Sequence, residues 1–380
     1  MTQGPFTSAF DQVHERAANA IGCDDFGDPS YHEALRVFLS AHDRRDCTEA
    51  EREAVLGQVT EILCSRLAAH AGLRQRPECL TQPLTAPLFI LGLPRTGTTA
   101  LHHLLDRDSR FQSLQYWLGR RPQPRPPRET WETNPQFLAA RADIEALYAQ
   151  VPAMRAIHHM AADEPEECRM VMLHTFASTA LAWSWDIPEY SEWLHAQDLE
   201  PQYRYYADML RLIGADDPGR TWLLKCPHHT IAVDALLKVF PDARIVFTHR
   251  DPLDAIPSVA SLSTTLRQLP ADAVEQRHAC GRQQAEQLDT CLRRAMTVRD
   301  ANPGTFLDIR FTDFRKDWAA TVRRIYDHFG LALTGDALAA MQAWHDAQEK
   351  GAGGGHRYTL ADFGLDADTL RQRFAYYDAF

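Results

Sequence analysis

Long apolar runs are missing from this 380-residue chain. No stretch approaches the ~18 uninterrupted apolar residues that a membrane-spanning helix needs, so no spanning helix is expected. The opening residues MTQGPFTSAFDQVHERAAN show no basic patch followed by an apolar core, so no secretory leader is expected. The eight cysteines (Cys23, Cys47, Cys64, Cys79, Cys168, Cys226, Cys280 and Cys291) are scattered, and none forms a C-x-x-C pair. That pattern speaks against a zinc site and for reduced thiols in a cytoplasmic protein. An excess of positive charge is also lacking: 40 Lys and Arg face 51 Asp and Glu, a net charge of −11. A nucleic-acid partner is therefore not expected, although one basic pocket is compatible with that balance. There is no H-E-x-x-H, and adjacent histidines on a helix point apart, so no metal is expected. No repeat is found, and low complexity is confined to GAGGG at residues 351–355.

What is present is ordinary for a globular protein: 45% hydrophobic and 24% charged residues. Residues 1–82 carry apolar positions at helical spacing, among them Val55, Val59, Ile62, Leu63 and Leu67. They predict a helical layer, either a lid or a packing layer. The character changes from residue 83, which opens the second region, residues 83–380. Leu88 to Leu93 is a short apolar run between Pro87 and Pro94, as a buried strand requires. A helix with Ala100, Leu101, Leu104 and Leu105 on its apolar stripe is expected next. The proline-rich stretch 120–135 reads as a surface loop. Residues 136–215 read as a helical insertion rich in aromatics, including Phe176, Trp183, Trp185, Tyr190, Trp193, Tyr203, Tyr205 and Tyr206. These suit core packing or the lining of an apolar acceptor pocket. Beyond them, TWLLKCP, ARIVFTHR and GTFLDIRF read as strands alternating with helices, which implies a parallel sheet covered on both faces.

The chemistry concentrates at strand ends. LGLPRTGTT, from Leu91 to Thr99, sits between a strand and a helix, where backbone N–H groups and the helix dipole favour an anion. Gly92 and Gly97 have the spacing of G-x-x-x-x-G-K-[ST], but the lysine position holds Thr98. The positive charge is instead Arg95, inside the loop. FTHRDPLDAIPSV puts Arg250 at the end of a strand and Ser258 two helical turns on, a forked donor and a hydroxyl for a phosphate. In LLKCPHHT, Lys225 ends a strand and Pro227 suits a first helical turn. IHHMAADEPEEC brings His158, His159, Asp163, Glu166 and Glu167 together. Here two readings stay open: Asp163 with Glu166 caps the following helix, or a histidine or carboxylate of the run acts as a base.

These elements resemble the family of sulfotransferases that use 3′-phosphoadenylyl sulfate (PAPS), in its bacterial branch, over roughly residues 85–378. P-R-T-G-T-T is similar to the family's 5′-phosphosulfate loop, P-[KR]-[ST]-G-T-T, so the resemblance assigns Pro94, Arg95, Thr96, Gly97, Thr98 and Thr99 to the donor. Arg250 and Ser258 match the R-[DN]-P-x-D-x-x-x-S element that holds the 3′-phosphate. Lys225 and His229 match K-x-P-x-H, with His229 in the position of a base and His228 beside it. His158 matches the H-x-M-x-A-D-x-x-E-E-C run, with His159 as an extra neighbour. The late stretch EKGAGGGHRYTLADFGLD is similar to a loop that closes over the nucleotide, which adds Lys350, Arg357 and Tyr358. One departure matters. Many relatives place a glutamate in a Trp-Glu pair, whereas Trp117 here is followed by Leu118.

The resemblance implies a P-loop-like α/β three-layer sandwich with a central parallel sheet and large helical additions. It also implies in-line sulfuryl transfer from PAPS to a small acceptor, without a metal, releasing 3′,5′-adenosine bisphosphate (PAP). Arg95, Lys225 and the loop N–H groups would stabilise the transferring charge. The base is to be sought among His229, His158, His159 and the carboxylates of residues 163–167. The rival readings are a P-loop kinase or NTPase, against which Thr98 in the lysine position speaks, and a non-catalytic nucleotide-binding protein.

Overall fold

The apolar runs at strand spacing assemble into one parallel sheet in the computed structural model, which describes residues 4–152, 154–351 and 358–377. Its strands are β1 (Leu88–Gly92), β2 (Phe111–Ser113), β3 (Thr221–Lys225), β4 (Arg244–His249) and β5 (Phe306–Arg310). Hydrogen-bonded neighbours run β2-β3-β1-β4-β5, every pair parallel. The short edge strand β2 was not foreseen; only Phe111 in it is strongly apolar, so no run marks it. Side chains alternate across the sheet as the period of two demands. Leu88 and Ile90 join Leu223, Val246, Leu307 and Ile309 on one face, packed on Leu101, Leu104, Leu105 and on Val322, Ile325 and Tyr326. On the other face Phe89 meets Phe240 and His229. Burying an aliphatic or aromatic side chain of this size stabilises by about 1.5–3 kcal/mol, so this double-sided core fixes the strand ends that carry the site.

The described chain forms two compact units. One contains the sheet: residues 85–114, 143–167 and 220–380. The other is helical and gathers residues 1–84, 115–142 and 168–219. In the helical unit, helix α1 (Phe10–Ile21) packs on α3 (Glu49–Gln75), and α2 (Tyr31–His42) lies between them in sequence. Thr48 and Glu51 form a reciprocal capping box at the start of α3, which satisfies backbone donors that would otherwise be orphaned. Val55, Val59, Leu63 and Leu67 are fully buried and Ile62 nearly so, as their spacing predicts. The buried guanidinium of Arg66 on α3 is satisfied by the carbonyls of Phe26, Asp28 and His174. Of the aromatics in this unit, Phe176, Tyr190, Tyr203 and Tyr206 are completely buried. Tyr190 donates its hydroxyl to the carbonyl of Phe176 at 2.5 Å. These four rings are core, whereas Trp183, Trp185, Trp193 and Tyr205 are half-buried. The proline-rich stretch is not bare loop either: a short 3₁₀ turn, Arg128–Thr133, buries Trp131 against Trp117.

Candidate active site

The sheet is built outward from β1. The chain leaves β1 toward β2 and β3 on one side and returns to β4 on the other, so the strand order reverses at β1. In open α/β sheets ligands bind outside the carboxyl ends of the strands at such a reversal. The loop after β1 and the turn after β4 meet there.

Backbone conformation shapes that loop. Gly92 has φ 144°, and a Cβ at this position would lie 2.2 Å from the Thr248 carbonyl oxygen. Gly97 has φ 84°, and its Cβ would press on Phe311. Both positions need glycine, the first because β1 and β4 approach so closely. Arg95 also adopts a left-handed conformation, φ 67°, a strained arrangement for a side-chain-bearing residue that the surroundings must hold. They do so from three directions. Arg95 Nε donates to Ser258 Oγ at 3.2 Å, Arg250 Nη1 donates to the Arg95 carbonyl at 2.8 Å, and Thr96 Oγ1 bonds both the Leu93 carbonyl (2.7 Å) and Thr248 Oγ1 (2.5 Å). Arg250 is steadied further by Asp254 at 3.5 Å and by stacking on Phe311 at 4.7 Å. Helix α4 (Thr98–Leu105) starts directly after Gly97, with Pro94 and Thr98 buried and Thr99 half-buried. Ala100 is exposed, so the apolar stripe of α4 is Leu101, Leu104 and Leu105 alone. Arg95, Ser258 and Arg250, which lie far apart in sequence, are thus brought into one hydrogen-bonded group. Arg357 lies outside the described residues, as does the side chain of Lys350; Tyr358 is half-buried.

A second chain of contacts joins this loop to the run 158–167. Lys225, at the end of β3, is 1% exposed; its ammonium donates to Thr99 Oγ1 at 3.2 Å and to Glu167 Oε1 at 2.9 Å. Burial pulls the Lys225 pKa down, but the neighbouring carboxylates of Glu167 and Glu166 outweigh it and hold the pKa above its usual value. Glu166 is buried. It accepts from the Glu167 backbone N–H at 2.7 Å and meets His158 Nε2 at 3.2 Å. It does not cap a helix: the next helix begins at Arg169 behind Cys168 and has no side-chain cap. The capping-box reading of Asp163 and Glu166 is therefore corrected, because the Glu166 carboxylate is committed to His158 and to the chain beside it. His159 turns away to Glu164 at 3.3 Å, with its side chain 66% exposed.

His229 lies within electrostatic reach of Glu167. It is fully buried, its ring edge-on to Phe89 at 5.3 Å. Burial, with repulsion from His228, lowers its pKa to about 3. An imidazole that takes a proton so reluctantly is poorly matched to general-base work near neutral pH. Two further histidines went unread in the sequence: His102 and His103 on α4 are buried, and burial lowers His103 to about 4.

Glu167, Cys226 and His228 bring a carboxylate, a thiol and an imidazole within 4.8 Å of one another. The donor types would suit zinc, but the Lys225 ammonium already occupies Glu167. Among the described residues no helix is long and apolar enough to cross a membrane.

Three comparisons with known proteins bear on this geometry. Residues 87–335 match the model of the Sulfotransferase family. The crystal structure of the sulfotransferase STF1 from Mycobacterium tuberculosis H37Rv superposes with a TM-score of 0.87 at 35% identity, covering 96% of this chain and 98% of that one. The sulfotransferase STF9 from Mycobacterium avium superposes with a TM-score of 0.89 at 29% identity, covering 100% and 98%. The chain is also 26% identical over 258 residues to the omega-hydroxy-beta-dihydromenaquinone-9 sulfotransferase Stf3 of Mycobacterium bovis. That match takes in 64% of this chain and 63% of the length of the relative.

Proposed function

Because the chain belongs to the sulfotransferase family, we propose that it transfers a sulfuryl group from PAPS to a hydroxyl of a small, partly apolar acceptor. The observation that supports this best is the single group formed by the loop 92–99, Arg250 and Ser258 at the reversal of the sheet. The residues present fit a donor with phosphate at both ends: a glycine-shaped loop ahead of a helix for one, and a forked arginine with a buried hydroxyl for the other. Bound there, PAPS would supply the sulfuryl group and leave as PAP.

Each residue then has a definite task. Residues 95–99 offer N–H groups and hydroxyls to the phosphosulfate end, and Pro94 shapes the loop ahead of them. Arg250 and Ser258 hold the 3′-phosphate, and Arg95, tied to both, links the two subsites. Lys225, reaching Thr99, puts a positive charge where negative charge develops on the transferring group. The proton of the acceptor hydroxyl passes to a base. Glu167 is the carboxylate joined through Lys225 to Thr99, and so the one most directly connected to the loop. His158, oriented by Glu166, lies one step further away. The acceptor of Stf3 is a hydroxylated menaquinone derivative by its name, and a lipid-like alcohol is the class to screen first.

The experiment is twofold: calorimetric titration with PAP, AMP and ATP–Mg²⁺, then transfer of labelled sulfate from PAPS across a panel of hydroxy-lipids, sterols and phenols. Binding that requires the 3′-phosphate, followed by turnover, supports the reading. Preference for ATP with magnesium overturns it in favour of a kinase, and PAP binding without turnover on any acceptor favours a non-catalytic relative.

A further inference from the structure

Immediately before Arg250 stands His249, a fully buried residue with both ring nitrogens engaged. Nε2 faces Asp308 Oδ1 on β5 at 2.7 Å, and Nδ1 faces the Tyr377 hydroxyl at 2.5 Å. A carboxylate accepts, so Nε2 carries the proton and donates. Nδ1 is then the acceptor, and the Tyr377 hydroxyl donates to it. Asp308 is itself fixed by Arg299, whose Nε lies 3.0 and 3.1 Å from its two oxygens. The charge state suits this assignment. Burial lowers the His249 pKa despite Asp308, and burial raises that of Tyr377, so one stays neutral and the other protonated. Tyr377 belongs to a segment anchored independently: Phe374 and Leu370 are buried, and Arg293 donates to the Arg373 carbonyl while lying over the Tyr376 ring at 3.9 Å.

Nothing in sulfuryl transfer uses this chain of groups, yet it ends one peptide from Arg250. On the far side of Arg250, Asp251 caps the next helix by accepting from the Leu253 N–H at 2.8 Å. Arg250 is thereby held between a helix cap and a strand end, and the strand end is held by His249. We propose that His249 is a positioning residue and that Tyr377, with Asp308 and Arg299, latches it so that Arg250 stays aimed at the 3′-phosphate. This rests on the donor site proposed above. It makes the segment around Tyr377, remote in sequence from both donor motifs, a determinant of donor affinity.

Tyr377→Phe tests the latch with the least disturbance, since the ring stays and only the hydroxyl goes. PAP should bind roughly 3- to 10-fold more weakly, the range for one lost hydrogen bond, while AMP, which has no 3′-phosphate, binds as before. Amide exchange at residues 249–251 should rise while β1 peptides keep their protection. His249→Gln keeps a donor toward Asp308 and loses the Tyr377 bond, so adding Tyr377→Phe to it should cost nothing more. His249→Asn, which can keep the Tyr377 side, should respond to Tyr377→Phe. A Tyr377→Phe protein with unchanged PAP affinity and unchanged exchange overturns the proposal, as does an equal weakening of PAP and AMP. Should the wild type fail to prefer PAP over AMP, the donor site itself is wrong, and the exchange arm, which needs no nucleotide, still decides whether Tyr377 holds the end of β4.

Discussion

Arg250→Ala removes the group on which the donor assignment turns, and its cost can be worked from contacts. Arg250 is positioned by the Arg95 carbonyl at 2.8 Å, by Asp254 at 3.5 Å and by the Phe311 ring at 4.7 Å. It is therefore pre-aimed, and little side-chain entropy remains to be lost when a phosphate arrives. A hydrogen bond to a charged group contributes about 1.5–3 kcal/mol, so losing it should weaken PAP roughly 10- to 150-fold. The same truncation frees the Arg95 carbonyl, and with it the strained Arg95 backbone at φ 67°. The donor loop thus feels the change as well, to the extent of an ordinary hydrogen bond, about 0.5–1.5 kcal/mol. The two effects separate by ligand. AMP, lacking the 3′-phosphate, should lose only the smaller part. Calorimetry on wild type, Arg250→Ala and Arg250→Lys with PAP and AMP gives the discrimination directly. Preference for PAP should collapse in Arg250→Ala and return in part in Arg250→Lys, which keeps the charge but not the fork. An Arg250→Ala protein that still prefers PAP as the wild type does would falsify the 3′-phosphate assignment.

Three other outcomes follow from the same geometry. Arg95→Ala should slow transfer by about 2.7–4 kcal/mol of barrier if Arg95 stabilises the transferring charge, read as kcat at saturating PAPS; unchanged kcat would remove it from that role. His229→Ala should unfold more easily in urea, because it opens a hole beside Phe89, yet the folded enzyme should keep kcat within a few-fold; a hundredfold loss would restore His229 as base. Acid should destabilise the fold early. His42, His103 and His229 are buried, with pKa values lowered by burial to about 4, 4 and 3 from 6.5. A histidine whose pKa is depressed by burial leaves stability intact above the unfolded value, and it is lost progressively as pH falls from that value toward the folded one. Urea unfolding at pH 5 against pH 7 should show roughly 1–2 kcal/mol lost per such histidine, and equal stability at the two pH values would contradict the burial of neutral imidazoles.

Much of the proposed donor side is legible because the chemistry it would perform forces particular residue types at fixed offsets. A left-handed turn ahead of a helix calls for Gly97, and a close strand approach calls for Gly92, so the loop announces itself in one stretch of chain. Arg250 and Ser258 sit on a strand-helix corner whose apolar runs are equally plain. The sheet was readable for the same reason, except for β2, too short and too polar to show a period. The remainder depends on contacts that join separate segments. Glu167 stood in the sequence as one of several candidate bases in DEPEE; its pairing with Lys225 arises when β3 is laid beside the run 158–167. His229 matched a motif position yet packs edge-on to Phe89 within the 3₁₀ turn Pro227–Ile231. His249 looked like the last polar residue of a strand, and nothing local ties it to Tyr377, 128 positions on.

Where the base lies is decided by what Glu167 does to Lys225. The ammonium is buried, so its charge needs a counter-charge, and Glu167 at 2.9 Å is the leading source of it, with Glu166 second. Replacing Glu167 by Gln keeps the shape and a carbonyl acceptor but removes that charge. Two consequences follow with opposite signs. Lys225 becomes an under-compensated cation beside Thr99 of the proposed phosphosulfate loop, so the affinity for an anionic donor should hold or rise. Its elevated pKa should also fall, so any activity that needs the charged lysine is lost at lower pH on the alkaline side. If Glu167 accepts the acceptor proton, kcat should drop by about 10²–10⁴ at every pH, the usual contribution of a general base. A purely structural Glu167 would act otherwise: removing one partner of a buried pair costs about 3–5 kcal/mol, so stability and donor binding would weaken together while kcat of the folded fraction survived. Glu167→Gln assayed for PAPS affinity, kcat and its pH profile therefore separates the two. Tight donor binding with little turnover makes Glu167 the base; full turnover in the folded fraction moves that role to His158, where His158→Ala becomes the deciding variant.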